Sequence, residues 1–413
     1  MSGSELKGGY GNLPEHVIII IYSWLDISDR FSASLTCKRW AEAFHHPALW
    51  RHFSFVFRSK AHTRQLKCLD RHCIHLKSAR IYVDPQITVN VENVCKVVTS
   101  LARSKERRLE RIGVLFTAEN PMFFQGNDIL SSLAELFGPP DPNLSVMSQL
   151  IEVDLSGLNV AFTDIILNLL SSNHPNLEIL NIQNTSLICK ISPPGLLNFV
   201  QKCRKLKKLL CFHLSTSNEM MVAFTEKDRV PIRYLSFLCQ RYDKFHPPIS
   251  GDVWNKVVKA LPNLRVALLF DHTIERDAIG DILHHQIPVV ELSLRTMCEL
   301  EKEMALVDSY YSDTIEKLII TTKGSDELQN LLLSFVEKAS KLRVLHCYCG
   351  LKEETIQKIL NMKPFLEQCT LKTEETFRAY TPKTYVGADA RATVMDSRNY
   401  PALEEYMASL EIS

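Results

Sequence analysis

No apolar run in this sequence reaches the roughly 18 residues that a membrane-spanning helix needs. Residues 1–11 are rich in glycine and serine and lack the apolar core of a signal peptide. An excess of charge of one sign is missing as well, because 48 basic residues face 47 acidic ones in a chain of 413. We therefore expect neither a membrane nor a nucleic acid among the partners, and a location in the cytoplasm and/or the nucleus.

The sequence motifs of common enzymes are also absent. There is no G-x-S-x-G, Walker loop, G-x-G-x-x-G or H-E-x-x-H pattern, so we expect a non-enzyme without a cofactor. The twelve cysteines have no secretory context and are expected to be reduced thiols. Cysteine and histidine cluster from Cys68 to His75, but their spacing fits none of the usual zinc patterns, so we expect no metal site.

Basic residues are concentrated between Arg103 and Arg111. A nuclear-localisation or nucleic-acid-binding segment has this composition. Glu106 and Glu110 interrupt the run, which favours a solvated helix end instead.

Apolar residues are abundant, at 46% of the chain, which is enough for a packed core. Residues 13–50 predict three short helices. Pro14 suits the start of the first helix, and Ser28 is the expected cap of the second. The first helix is apolar almost all round. Because so small a unit cannot bury such a girdle itself, part of this helix is expected to meet another chain.

Three short motifs follow one another in this segment: Leu13-Pro14-Glu15, Cys37-Lys38-Arg39-Trp40 and Leu49-Trp50. In order and spacing they resemble the F-box, the adaptor-binding module of F-box proteins. Arg30 departs from that pattern, which usually has an apolar residue there. The resemblance implies binding of a Skp-family adaptor, with the two tryptophans setting the helix packing. The implied adaptor-binding residues are Leu13, Pro14, Glu15, Ile18, Ile21, Leu25, Trp40 and Trp50.

The rest of the chain repeats the template L-x-x-L-x-L. Two weaker copies start at Leu76 and Leu109, and from Leu150 onward successive copies start 24 to 32 residues apart, with helical stretches between them. The regular copies are Leu150-Val153-Leu155, Leu177-Leu180-Ile182, Leu206-Leu209-Cys211, Ile232-Leu235-Phe237, Leu264-Ala267-Leu269, Val289-Leu292-Leu294, Ile315-Leu318-Ile320, Leu342-Leu345-Cys347 and Leu366-Cys369-Leu371.

Each strand–helix unit has an apolar face that only stacking on its neighbours can bury. Over nearly its whole length the chain resembles the leucine-rich-repeat F-box proteins. The implied fold class is α/β: an N-terminal three-helix F-box, then a leucine-rich-repeat solenoid with parallel strands on the concave face and helices on the convex face. The expected divisions are a flexible N-terminus at 1–12, the F-box at 13–54, the solenoid at 55–374 and a C-terminal tail or cap at 375–413. The ninth position of the template lacks the usual Asn or Cys, so we expect no ladder of buried side chains.

Strand alternation points the template residues into the core and their neighbours outward. In the middle repeats the outward set is unusually apolar, which favours a docking surface for a target. Coverage of this surface by the C-terminal tail, or its burial by a solenoid closed enough to enclose it, is an equally open interpretation. The candidate target-binding residues are Leu210, Phe212, Tyr234, Leu238, Val266, Leu268 and Phe270.

The resemblance implies the substrate-recognition subunit of an SCF-type E3 ubiquitin ligase. The F-box would hold the Skp-family adaptor and thereby the cullin–RING core, while the repeats recruit an unknown protein substrate for ubiquitination. Such a receptor does no bond chemistry and acts by proximity. An alternative stays open, a stand-alone leucine-rich-repeat scaffold or inhibitor without ligase coupling.

Overall fold

The computed structural model describes residues 13–59, 63, 65–104, 106–118, 126–139, 146–186, 189–241, 247–296 and 298–373. The predicted N-terminal segment at 1–12 and the predicted tail at 375–413 lie outside these residues. The chain divides into two compact units, Met1–Val289 and Val290–Ser413.

The first unit begins with three helices, as the sequence predicted. They are α1 (Glu15–Trp24), α2 (Ile27–Ser34) and α3 (Lys38–Phe44), and a 3-10 turn at Pro47–Trp50 follows. The backbone N–H of Asp29 donates to Asp26 Oδ1 at 2.8 Å, so Asp26 caps α2. The prediction of Ser28 as the cap was wrong, because the cap and the start of the helix lie two residues earlier.

A parallel sheet follows these helices. Its first strand starts two residues after Trp50 and was not predicted from the sequence. The strands of the first unit are β1 (His52–Phe57), β2 (Ser78–Val83), β3 (Glu106–Arg107), β4 (Arg111–Phe116), β5 (Val146–Met147), β6 (Glu152–Gly157), β7 (Ile179–Asn181), β8 (Lys208–Phe212), β9 (Tyr234–Cys239) and β10 (Arg265–Phe270). β3 and β5 pair only with each other, and the remaining strands pair in chain order.

Helices alternate with these strands. In the first unit they are α4 (Gln65–His72), α5 (Thr88–Ala102), α6 (Asn127–Phe137), α7 (Asp164–Asn173), α8 (Pro193–Lys202), α9 (Asn218–Ala223), α10 (Gly251–Ala260) and α11 (Arg276–Ile282). Serine caps recur at their N-termini. Ser192 accepts a backbone N–H of α8, Ser217 accepts one of α9, and Ser250 accepts one of α10.

The second unit repeats the same alternation. Its parallel strands are β11 (Val289–Arg295), β12 (Lys317–Thr321), β13 (Val344–Leu351) and β14 (Gln368–Thr373), and its helices are α12 (Glu301–Tyr311), α13 (Asp326–Lys338) and α14 (Glu353–Met362). A helical N-terminus followed by parallel strands that alternate with helices confirms the predicted fold class.

Inward-facing side chains form continuous rows across the strands. Val153, Leu180, Leu209 and Leu235 stand in register on β6 to β9, and all four are fully buried. This row is the apolar core that each strand–helix unit shares with its neighbours.

The predicted frame of β10 was wrong by one residue. Val266 pairs with Leu235, so this strand turns Val266, Leu268 and Phe270 toward the core. All three are buried. Because side chains alternate along a strand, a slip of one residue exchanges the inward and outward sets.

Two buried polar side chains lie at the eighth position of their repeats, one position before the ninth, where the usual Asn or Cys of the template would stand. Asn184, the eighth residue of its repeat, is fully buried and donates to the carbonyls of Leu158 and Val160 at 2.8 and 2.7 Å. The hydroxyl of Thr322, also an eighth residue, donates to the carbonyl of Cys298. These two residues lie in repeats that are not neighbours, so they act singly and do not form a ladder with each other.

Two buried arginines hold the C-terminal ends of helices. Arg107 donates to the carbonyl of Leu136 near the end of α6, and Arg229 donates to the carbonyl of Ala223 at the end of α9, both at 3.0 Å. Carbonyls at a helix end lack an intrahelical donor, so a cation there is stabilising. Since Arg107 lies in β3 and is buried, the prediction of a solvated helix end was wrong for this residue.

The corrected frame of β10 predicts the effect of two neighbouring substitutions. Phe270→Ala removes a buried ring and is expected to lower the free energy of unfolding by about 3–5 kcal/mol. Leu269→Ala, on the half-buried outward side, is expected to cost clearly less. Chemical denaturation of both variants measures the difference, and the reverse order would restore the frame read from the sequence.

Candidate functional site

Helix α1 has one side in the core of the N-terminal module. Ile18 and Tyr22, four residues apart, are fully buried. The hydroxyl of Tyr22 donates to the carbonyl of Trp40 at 2.8 Å, and the two rings meet edge to face. Ile18 was predicted as an adaptor-binding residue. Its full burial places it in the core of its own module, and its role in binding stays a prediction.

Trp50 is the second anchor of this core. Its indole N–H donates to the carbonyl of Phe44 at 2.8 Å, and their ring centroids are 5.3 Å apart. Trp50 is buried and Trp40 half-buried. Both residues therefore lie where they set the helix packing, as predicted.

Four large apolar side chains on and beside α1 and α2 are exposed to solvent. Ile20 and Trp24 lie four residues apart on α1, and their exposed fractions are 56% and 85%. Phe31 and Leu35, also four apart, have exposed fractions of 57% and 71%. We call these four residues the exposed apolar set. The sequence did not predict these four residues individually, although the almost wholly apolar first helix indicated that some of its side chains would be exposed.

The remaining predicted adaptor-binding residues lie at the surface of the same module. Pro14 and Glu15 are exposed at the start of α1, and Leu13, Ile21 and Leu25 are half-buried. Their role in binding stays a prediction.

Arg30, which departs from the family pattern, ties three segments together. Its Nε donates to the carbonyls of Tyr22 and Leu25 at 2.7 and 2.8 Å, and its Nη1 donates to that of Leu49 at 3.3 Å. Burial lowers the pKa of the guanidinium, partly opposed by the nearby charge of Asp26. Arg30 thus holds the C-terminal end of α1 against the 3-10 turn, and the exposed apolar set is presented from a fixed frame.

A pair of histidines joins this module to the first strand–helix unit. Arg71 donates to His45 Nε2 at 3.0 Å, so the hydrogen of a neutral His45 is on Nδ1, which lies 3.2 Å from His72 Nε2. Trp50 stacks on His72 with centroids 3.9 Å apart. Burial, followed by the positive charges of His45, His75 and Arg71, lowers the pKa of His72 to about 4. The junction is therefore built around a neutral histidine.

The candidate target-binding residues fall into two groups. Leu210, Tyr234 and Leu238 are half-buried on the outward side of β8 and β9. Phe212, Val266, Leu268 and Phe270 are buried, so the prediction that they face solvent was wrong. The slipped frame explains the three residues of β10, but Phe212 is in register with Leu238 on the outward side and is only 3% exposed.

Gln183 and Ser236 form a buried polar pair, here called the clip, on the same side of the strands as Phe212. The amide of Gln183 donates to the carbonyl of Cys211 and to the hydroxyl of Ser236, each at 3.0 Å. Gln183 and Ser236 are both buried. The middle of this surface is thus closed and cross-linked, and it is not the open apolar patch that was expected.

Lys208, Tyr234 and Arg265 form an outward row beside the clip. The register of β8, β9 and β10 places Tyr234 between the two cations, which are both exposed. This arrangement combines an aromatic ring with positive charge and fits an acidic segment of a partner.

Over the described ranges, no three His, Cys, Asp or Glu side chains are grouped so as to hold a metal. The side chain of Cys68 is not among those described, and Cys73 contacts Ser104. No described helix has both the length and the apolar character to cross a membrane.

A helical module with an exposed apolar set, followed by parallel strands that alternate with helices, is the combination of a helical N-terminal domain and strand–helix repeats. Residues 10–56 match the model of the F-box-like family. F-box/LRR-repeat protein 8 of Homo sapiens is 23% identical over 361 residues, which are 87% of this chain and 94% of that protein. F-box/LRR-repeat protein 21 of Bos taurus is 23% identical over 358 residues, 81% of this chain and 76% of that protein. The chain therefore carries an F-box-like domain and is homologous to F-box/LRR-repeat proteins over most of its length.

The neutral state of His72 predicts a pH dependence of stability. The pKa falls from the ordinary 6.5 to about 4 on folding, so the unfolded chain binds the proton more tightly. Stability from this residue is present above pH 6.5 and is lost as the pH falls toward 4, by about 1.4 kcal/mol per pH unit. Denaturation of wild type and His72→Phe between pH 7.5 and 4.5 measures it.

His72→Phe keeps a ring against Trp50 but removes the titration, so its stability is expected to fall less steeply with acid. His174, whose pKa burial also lowers to about 4, leaves a residual slope in both proteins. Equal slopes would show that His72 does not titrate in this way.

Proposed function

We propose that this chain is the substrate-recognition subunit of an SCF-type E3 ubiquitin ligase. In this role the F-box-like domain binds a Skp-family adaptor and, through it, the cullin–RING core. The repeats recruit a target protein for ubiquitination. The observation that carries the proposal is the exposed apolar set on α1 and α2, within the segment that matches the F-box-like family.

The chemistry of the exposed apolar set suits a protein partner. Ile20 and Trp24 lie one turn apart on α1, and tryptophan is among the residues that most often dominate binding energy. Trp24 projects from a module whose own core is already filled by Ile18, Tyr22 and Trp50. The exposed set is therefore available for a partner without any rearrangement of the fold.

The junction supplies the mechanical link that a receptor needs. His45 lies at the end of α3 and contacts His72 on α4, while Trp50 stacks on the same imidazole. A stiff connection holds a bound target at a fixed place relative to the adaptor. Catalysis by the rest of the ligase then benefits from proximity and orientation, and the receptor itself contributes no reacting group.

For the target we propose the outward side of β8 to β10. Tyr234 flanked by Lys208 and Arg265, with Leu210 and Leu238 beside it, supports an acidic segment with apolar anchors as the recognised feature. We place this activity in the cytoplasm and/or the nucleus. The cysteines whose side chains are described are all free thiols, which agrees with a reducing compartment.

Adaptor binding tests the proposal. Trp24→Ala and Leu35→Ala are each expected to weaken binding of a purified Skp-family adaptor by about 30-fold or more, since truncation of an anchor costs about 2 kcal/mol. Ile165→Ala removes an equally exposed apolar side chain from α7 and is the matched control. Titration calorimetry measures all three, with circular dichroism as the check on folding.

A folded wild-type chain that binds no adaptor would favour the stand-alone scaffold or inhibitor. Adaptor binding that survives both substitutions would place the contact elsewhere on the domain. Either result contradicts the assignment of the exposed apolar set.

Target recruitment needs a separate comparison. Lys208→Glu combined with Tyr234→Ala is expected to leave adaptor binding unchanged and to remove the target proteins from proximity labelling in cells. Lys205→Glu, an exposed charge reversal three residues before Lys208, is the control. Identical labelled proteins in all three forms would move the target site away from β8 to β10.

A further inference from the structure

Hydrogen-bond donors without an acceptor meet where the F-box-like domain joins the repeats. His46 lies two residues beyond α3 and precedes the 3-10 turn at Pro47–Trp50. Its Nδ1 accepts the backbone N–H of Ala48 at 3.3 Å, so the hydrogen of the neutral ring is on Nε2. No described residue accepts a hydrogen bond from this Nε2. One donor of the F-box-like domain is therefore left for a ligand.

Two further donors come from the first strand–helix units. His75 ends the 3-10 turn Cys73–His75, which packs against β3. Its half-buried ring lies 6.3 Å from that of His72, centroid to centroid, and forms no hydrogen bond with a described residue. Arg108 follows β3 and is exposed, and its Nη2 donates to Glu106 Oε2 at 3.1 Å. The other donors of this guanidinium have no partner among the described residues.

The electrostatic environment of His75 favours an anion. Burial lowers the pKa of His75, and the positive charges of Arg108 and His46 lower it further, while Glu106 raises it. Because the interaction between charges falls off with distance, Arg108, Glu106 and His46 all lie near this imidazole. A bound anion would oppose the two positive charges and favour the protonated ring. We call His46, His75 and Arg108 the junction cluster.

A phosphate group suits the junction cluster better than other small ions. Its oxygens can accept from three donors on three separate segments, whereas a carboxylate has only two oxygens. The guanidinium of Arg108 presents a fork of donors that matches a phosphate. A metal cation is disfavoured, because Arg108 carries a positive charge beside both imidazoles.

We propose that the junction cluster binds a phosphate group, which accepts hydrogen bonds from His46 Nε2, a ring nitrogen of His75 and the guanidinium of Arg108. The carboxylate of Glu106 faces the same group and weakens its binding. Since His46 lies in the segment that matches the F-box-like family and the other two residues lie in the first strand–helix units, the bound group ties these two parts together. Its source is free phosphate or a phosphorylated side chain of a partner.

Titration calorimetry of the full chain with inorganic phosphate, at pH 7.5 and constant ionic strength, tests the site. Arg108→Gln is expected to weaken binding by about tenfold or more, because a charge-assisted hydrogen bond is lost. Glu106→Gln is expected to strengthen binding by about threefold or more, because it removes a like charge. Opposite effects of neighbouring substitutions cannot come from a general loss of folding.

Arg103→Gln removes another exposed cation, five residues before Arg108, and is the matched control. It is expected to bind phosphate like wild type. O-phosphoserine that binds as tightly as inorganic phosphate would assign the site to a phosphorylated partner, and failure of O-phosphoserine to bind would assign it to free phosphate. Absence of phosphate binding, or equal affinity of wild type, Arg108→Gln and Glu106→Gln, would overturn the proposal.

The pH dependence of sulfate binding gives a second readout. Sulfate keeps both negative charges between pH 7.5 and 6.0, so a change in its affinity reports protonation of the protein. Binding is expected to be about threefold or more tighter at pH 6.0, because His75 and His46 gain charge beside Arg108, Glu106 and His72. His75→Gln is expected to remove most of this increase. An affinity that does not change with pH would also overturn the proposal.

Discussion

Stacking of the inward rows is the constraint on which the rest of this molecule depends. A single strand–helix unit cannot bury its own apolar face, so Val153, Leu180, Leu209 and Leu235 are buried because each has a neighbour in register. The polar connections follow the same logic. Asn184 bonds carbonyls of the preceding repeat, and Arg107 and Arg229 bond the carbonyls at helix ends. Burial of the apolar rows stabilises the fold, and the hydrogen bonds of the polar groups fix the placement of neighbouring repeats and helix ends.

The F-box-like domain differs from the repeats because it keeps large apolar side chains exposed. It does so by filling its interior with Ile18, Tyr22 and Trp50, so that Ile20 and Trp24 are left over on the other side of α1. Arg30 holds this arrangement through three backbone carbonyls. The substitution that departs from the family pattern thus has a structural role of its own, and the proposed contact with an adaptor rests on that frame.

The fold class and most repeat frames could be predicted from the sequence, since period and alternation are local properties. The helical stretches predicted between the strands are present, and Leu180 and Leu209 lie in the core as expected. The frame of β10 failed because the buried Leu264 is followed by an inward residue after two positions, at Val266, and not after the three positions of the template. Composition alone cannot tell these frames apart, because only the neighbouring strand decides which set is buried.

The functional surfaces were less predictable for the same physical reason. Val17 to Ile21 are all apolar, so the sequence does not say that Ile18 packs inward and Ile20 faces solvent. That choice is made by Trp40 and Phe44, which arrive from α3. The partners of Arg107 and Arg229 are likewise carbonyls, and carbonyls leave no signature in a sequence. The closure of the outward side by Gln183 and Ser236 depends on residues 53 positions apart.

The central claim is that Trp24 is exposed in the free chain and becomes buried against an adaptor. The chain has four tryptophans, and Trp50 and Trp254 are already buried. Titration of the purified chain with a Skp-family adaptor that lacks tryptophan, followed by fluorescence, tests the claim directly. A saturable blue shift of the emission at a one-to-one ratio is expected, together with its loss in Trp24→Phe. Binding without a change in emission, or an equal shift in Trp24→Phe, would contradict it.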